Sequence, residues 1–204
     1  MRLITSLATL KFLFAIMTVA ISTDLVAANQ WKLNKQKSEV YFLTVKKNRV
    51  GEINRFKSVT GSVDEKGQVE VIIDPKSVET KIPIRNQRMI EHLFEAIKYP
   101  RIVIKSQVKP ELLSGLSQGD SLTETLDFNL HMHGVKKDLS GVFFIIREKQ
   151  QMRVFNSVPI LISTDPFGMN EGLSKLKDLA KLPSINSVVP VNINLVFEML
   201  EANE

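Results

Sequence analysis

With 204 residues, 44% apolar and 24% charged, and only 9 Gly and 8 Pro, the chain reads as one ordinary globular domain with small additions, not a low-complexity chain. The lack of cysteine excludes a disulfide framework, a thiolate nucleophile or zinc ligand and a lipid-modified cysteine, so stability has to come from one sizeable core. A net charge of +5 favours anionic partners, but the basic residues are spread with no run of five, which argues for solubility and against nucleic acid.

Residues 1–28 read as an export signal. Arg2 and Lys11 precede a short apolar core, Phe12 to Ile21, and Val26-Ala27-Ala28 places small side chains at the −3 and −1 positions of a cleavage site. The apolar stretch falls short of the roughly 20 residues that span a bilayer. Cleavage after Ala28 and release into the periplasm are expected, an uncleaved anchor being the alternative. Residues 29–204 then form the working domain.

Val40 to Val45 is the first clear strand, apolar on both faces. Asp64 to Gly67 makes a turn, after which Val69, Val71 and Ile73 alternate with Gln68, Glu70 and Asp74. Pro83 suits the first turn of a helix, and Met89, Ile90, Leu93, Phe94 and Ile97 form one stripe at helical spacing. Tyr99-Pro100 ends it, because the residue before proline is pushed out of the helical region. Ile102 and Ile104 lead a strand to Val108, and Leu113 to Ser121 is a Gly/Ser loop. Leu126, Phe128, Leu130 and Met132 then alternate with Asp127, Asn129 and His131, and His133 to Lys136 forms a turn. Val142 to Ile146 and Val158 to Ile162 are apolar on both faces, as in strands covered on both sides or turned towards a helix or ligand. A second helix runs from about Glu171 to Leu182, with Leu173, Leu176, Leu179 and Ala180 on one side and Pro183 as the stop. Val189, Val191, Ile193, Leu195, Phe197 and Met199 close the chain in strict alternation. Short alternating strands separated by tight turns predict an all-β antiparallel barrel or sandwich carrying two short helices.

Few residues suggest chemistry. Gly115 to Gly119 matches the G-x-S-x-G pattern around Ser117, but a nucleophile elbow needs a strand before it and a helix after it, and here a polar loop surrounds it. His131 and His133, two apart on a strand, point to one face but lack a converging third ligand, so no metal is expected there. His92, on the first helix beside Glu91, is expected to be a solvated or boundary residue. Arg85 and Arg88 follow Pro83 on a helical first turn. They can hold a phosphate or carboxylate, pair with Glu79 or Glu91, or simply stand solvated. No catalytic residue and no cofactor is assigned.

A family likeness runs along the chain. Trp31-Lys32-Leu33 with Ser38 to Phe42 resembles an opening strand, and Phe56 to Val63 an F-x-x-x-x-G turn. Val78-Glu79-Thr80 with Arg85-Asn86, Leu93-Phe94 with Lys98-Tyr99-Pro100, Leu130 to Lys137 and Phe167-Gly168 follow in order. Together they resemble the YceI-like family of bacterial periplasmic polyisoprenoid-binding, lipocalin-like proteins, over about residues 30–199. The likeness implies an eight-stranded antiparallel barrel with helices at its mouth, which binds a long isoprenoid or amphiphilic lipid without catalysis. Two departures bear on the ligand's head group: Thr164-Asp165-Pro166 stands where an arginine is common, and the segment from Glu171 to Ile185 is long.

On this reading the inward residues are Leu126, Phe128, Leu130, Phe143, Ile145, Ile193, Leu195 and Phe197, with Arg85 and Arg88 for the head group at the rim. The partners are the lipid, a membrane surface touched transiently, and a second copy as a candidate dimer. The alternation also fits a filled barrel that serves as an interaction or stress module for an envelope partner, because an eight-stranded barrel is only just wide enough for one slender ligand.

Overall fold

The computed structural model describes residues 30–200. The expected export signal over residues 1–28 lies outside them. Among the described residues no helix is long and apolar enough to cross a membrane.

The strands are β1 (Trp31–Leu33), β2 (Glu39–Lys46), β3 (Val50–Phe56), β4 (Val59–Val63), β5 (Gln68–Ile73) and β6 (Val78–Glu79). They continue with β7 (Ile102–Gln107), β8 (Ser121–Met132), β9 (Val135–Glu148), β10 (Gln151–Asn156), β11 (Ile160–Ser163) and β12 (Val188–Met199). All pairings are antiparallel, and the path β1–β4–β5–β7–β8–β9–β10–β12 closes because β12 also pairs with β1. These segments make eight staves. β1 and β2 form one stave interrupted at Asn34 to Ser38, β3 and β4 another, β5 runs on into β6, and β10 into β11. Among the described residues, closure leaves only the short strands β6 and β11 paired on one side alone, and so protects the long staves from edge-to-edge aggregation.

β12 is long because it pairs with two staves in pieces: β11 and β10 on one side, β2 and β1 on the other. Where β2 gives way to β1, Ser38 repairs the ladder. Its hydroxyl donates to the Val196 carbonyl and accepts from the Val196 N–H at 3.0 Å, which leaves Val196 wholly buried although it points away from the interior.

One end of the barrel is sealed. Trp31 is 2% exposed, and the Arg147 guanidinium lies over its ring at 4.3 Å from the centroid. Helix α2 (Pro110–Ser114) brings Leu112 and Leu113 against the core at this base. The segment predicted as a loop from Leu113 thus begins inside a helix, one too short to show a period in sequence.

The other end carries α1 (Pro83–Arg88), which widens at once into a π-turn over Met89–Leu93, and α3 (Asn170–Leu179). The predicted first helix stops earlier than its stripe suggested. Phe94 N–H bonds back to Met89 O, Glu95 adopts φ 43°, and Ile97 ends 94% exposed rather than on the apolar face. A wide turn shifts the phase of every later residue, so the 3.6-residue count fails beyond it. Gly172 in α3 sits against the π-turn, where a Cβ would lie 2.2 Å from His92 O. Only glycine permits that approach of helix to helix.

Of the two arrangements open to the strands at 142–146 and 158–162, the second holds: one face of each lines the cavity and the other is not covered. Phe144 and Phe155 stack on the outer wall with ring centroids 5.1 Å apart, Phe155 remains exposed, and so does Leu161. The strand predicted from Val158 starts at Ile160, because the Asn156 amide donates to Val158 O and holds that residue out of the ladder.

Candidate functional site

Alternation places one face of every stave inside the barrel, and those side chains do not fill it. Leu126, Val154, Ile162, Val191 and Ile193 face inward yet stay only half-buried, their free surface bordering a cavity of about 500 Å³. That volume lies within the range of roughly 300–1,000 Å³ typical of small-molecule sites. All eight predicted inward residues line it: Leu126, Phe128, Leu130, Phe143, Ile145, Ile193, Leu195 and Phe197. Arg85 and Arg88 line it too, at the end away from Trp31. The barrel is hollow, which the period-two pattern left open.

Polar groups gather at that upper end. The Arg85 guanidinium donates to Glu52 at 2.6 Å and to Thr80 O at 2.6 Å, while its Nε is buried without a partner. Arg88 donates to Leu179 O at 3.2 Å and so ties α1 to the end of α3. Neither arginine takes the predicted partners Glu79 or Glu91. Glu52 also accepts from Lys46 at 2.9 Å. Burial alone would raise the Glu52 carboxyl, but Lys46 and Arg85 outweigh it and hold it below the usual carboxylate range. Asn54, two residues on, faces inward from β3 and donates to Thr44 at 3.0 Å. The sequence reading missed Glu52 and Asn54, since it places no strand over residues 50–56, and gave no role to Thr44 within its first strand. The available signal was Glu52, Asn54 and Phe56 at spacing two.

A clamp fixes the helix over this opening. The Asn86 side-chain oxygen accepts from the Thr80 N–H at 2.8 Å and from its hydroxyl, and the amide donates to Glu79 at 3.1 Å. Lys57 pairs with the same carboxylate, and the Lys81 N–H donates to it at 2.6 Å. Lys57, then Asn86 and Lys81, lower the Glu79 carboxyl from its usual 4.5 to about 2. A carboxyl lowered by folding stabilises the fold above its unfolded value and loses that contribution as pH falls through the folded one. Stability measured against pH is therefore expected to decline between pH 4.5 and about 2, Glu52 acting in the same direction. Glu79→Gln should flatten that decline, and an unchanged acid profile would count against the clamp.

A family model described as the YceI-like domain matches residues 31–197. The chain belongs to the YceI-like family. Among solved structures, a polyisoprenoid binding domain from Saccharophagus degradans implicated in plant cell wall breakdown is similar at 29% identity and a TM-score of 0.82. That match covers 83% of this chain and 98% of the other. BcnA from Burkholderia cenocepacia shares the fold at 14% identity and a TM-score of 0.61, covering 80% of this chain and 98% of its own. Comparison with curated proteins finds no significant match.

The segments that carry the YceI-like likeness meet at two points. Thr80, Arg85 and Asn86 form the clamp just described. Tyr99, His133 and Phe167 form a latch. His133 Nδ1 lies 3.0 Å from Phe167 O, its Nε2 lies 2.7 Å from Glu95, and its ring packs on Tyr99 at 4.3 Å. Gly134 adopts φ 80°, and a Cβ there would press on Tyr99 at 2.9 Å. The expectation that His131 and His133 share one face fails: β8 ends at Met132 and His133 turns away at φ 52°. His92 sits at a boundary as expected, its side chain 27% exposed. Ser117 lies in the loop after α2 and before β8, so helix precedes and strand follows, the reverse of a nucleophile elbow. In this YceI-like chain the long segment after Glu171 is α3 and its exit, which wall the cavity with Leu173, Leu176 and Leu182.

Proposed function

We propose that this protein is exported to the periplasm and holds a long isoprenoid or other amphiphilic chain inside its barrel, for transport, storage or sequestration in the cell envelope. One observation carries the reading: an apolar cavity that runs from Trp31 at the base to a mouth where its charged groups, Lys46, Glu52, Arg85 and Arg88, are gathered. Each CH₂ buried there contributes about 0.8 kcal/mol, so a long tail gains affinity with no catalytic group. The tail lies along Phe128, Phe143, Leu195 and Phe197, and the head stays at the mouth, because burying a charged end unpaired costs several kcal/mol. The polyisoprenoid-binding relative supports the ligand class. The deciding experiment is native mass spectrometry of protein purified from its own host, followed by extraction of the bound molecule. A prenyl or acyl lipid is expected. Folded protein that carries nothing and takes up no added prenyl lipid would refute the reading.

Arg85 and Arg88 serve the head group in this proposal. Arg85→Ala with Arg88→Ala is expected to weaken an anionic lipid about tenfold more than a neutral lipid of equal tail length, since charge-assisted bonds contribute roughly 1.5–3 kcal/mol. Equal losses in a paired titration would reduce both residues to supports of α1.

A further inference from the structure

Three segments ring the opening: the β2–β3 hairpin tip, the turn into α1 and the exit of α3. They are tied together. Lys47 N–H donates to Ser184 O at 3.3 Å, the Ser184 hydroxyl donates to Asn48 at 2.8 Å, Arg85 bridges to β3, and Arg88 reaches Leu179 O. Lys47, Arg49, Lys81 and Lys181 stand exposed on this ring. Among the described residues none of the four forms an ion pair. The ring's acidic groups do not cancel them. Glu52 is matched by Lys46 and Arg85, Glu79 by Lys57, and Asp178 stands 4.0 Å from Lys177. Between the cations three aliphatic side chains are exposed, Val50 at 38%, Ile82 at 41% and Ile84 at 53%, the last two at the lip of the cavity.

Unpaired cations interleaved with exposed aliphatic side chains are what a surface needs to lie against anionic head groups and dip into the acyl boundary. A protein partner is the poorer fit, because these three segments offer none of the aromatic anchors that concentrate binding energy at protein interfaces. The ring is also the rim of the cavity, so a lipid drawn from the bilayer would pass from one apolar phase to another. We propose that the barrel mouth docks on an anionic bilayer surface, with Lys47, Arg49, Lys81 and Lys181 against the head groups and Ile82 and Ile84 at the boundary. This docking rests on the lipid-carrier reading and supplies its loading step.

The test is sedimentation of the natively processed protein with vesicles of equal parts phosphatidylglycerol and phosphatidylcholine, and with phosphatidylcholine vesicles alone. Binding is expected to the first and not the second, and it should weaken as salt is raised. Each rim cation removed should weaken binding about fivefold, so Lys47→Gln/Arg49→Gln/Lys81→Gln/Lys181→Gln should lose on the order of a hundredfold or more. Ile82→Ser/Ile84→Ser should weaken it at unchanged charge, whereas Ile53→Ser/Leu161→Ser on the outer wall should not. The Val191→Trp variant, whose indole takes up part of the cavity, should still bind vesicles. Weakened lipid uptake with docking intact is thereby separated from loss of docking with uptake intact. The proposal is overturned if wild-type protein ignores anionic vesicles, binds both vesicle types alike or needs an envelope protein for recruitment. It is equally overturned if the quadruple variant, folded by near-ultraviolet circular dichroism, binds as wild type does.

Discussion

Trp31→Ala is expected to cost about 3–5 kcal/mol of stability, the usual toll of emptying a large buried aromatic site. Trp31 is among the largest fully buried side chains and sits in the seam that closes the barrel, paired with Val63 of β4 and Met199 of β12. Its loss also strips Arg147 of its stacking partner, worth roughly 0.5–2 kcal/mol. Burial already lowers the Arg147 pKa, so the guanidinium would be left desolvated with nothing beneath it. For a domain of this size the melting temperature should fall on the order of 10 °C. Denaturant titration is the direct measurement. A loss below about 1 kcal/mol would show that the base repacks and that the seal is incidental.

Leu195→Asp is expected to abolish retention of a long-chain lipid. Leu195 is buried on the inner face of β12, with Val154 across the ladder and the cavity in front. A carboxylate there has no cation to meet and costs several kcal/mol when dry. That cost threatens folding as well as binding, so Val191→Trp serves as the uncharged companion. Val191 is inward and half-buried, and an indole in its place occupies space the ligand would use. Displacing about two methylenes should cut affinity about tenfold with the fold intact. Near-ultraviolet circular dichroism checks the fold and titration with a prenyl lipid checks the site. A well-folded Leu195→Asp that binds at wild-type strength would end the barrel reading.

The staves were legible because period two is robust: residues 126–132 alternate without a fault, residues 189–199 keep an apolar residue at every inward position, and a closed barrel gives that face one environment. The helix at Pro83 was legible at its start, where proline fixes the backbone, and illegible past the π-turn, where the phase slips and Ile97 swings out. Helix α2 was hidden by its length. The cavity was implied by the family likeness but was not legible in the period-two pattern. A stripe of Leu, Ile and Phe looks the same whether its partners across the barrel touch it or stand apart, since that depends on stave tilt and not on side-chain order. Arg85 and Arg88 were found from their helix start, but their partners Glu52 and Leu179 O come from distant segments. Only the folded chain brings these together.

A barrel with Trp31 at one end has a single door. A flexible chain must enter end-on and leave by retracing its path, so exchange is slower the deeper the tail has gone. The indole also sets a limit. Methylenes that reach it each add about 0.8 kcal/mol, and those of a longer chain remain outside and add nothing. Affinity therefore climbs with tail length and then levels off, at a value fixed by the distance from Trp31 to the rim. If the barrel carries a prenyl lipid as proposed, its sealed base makes it a gauge of chain length, able to tell a short tail from a long one.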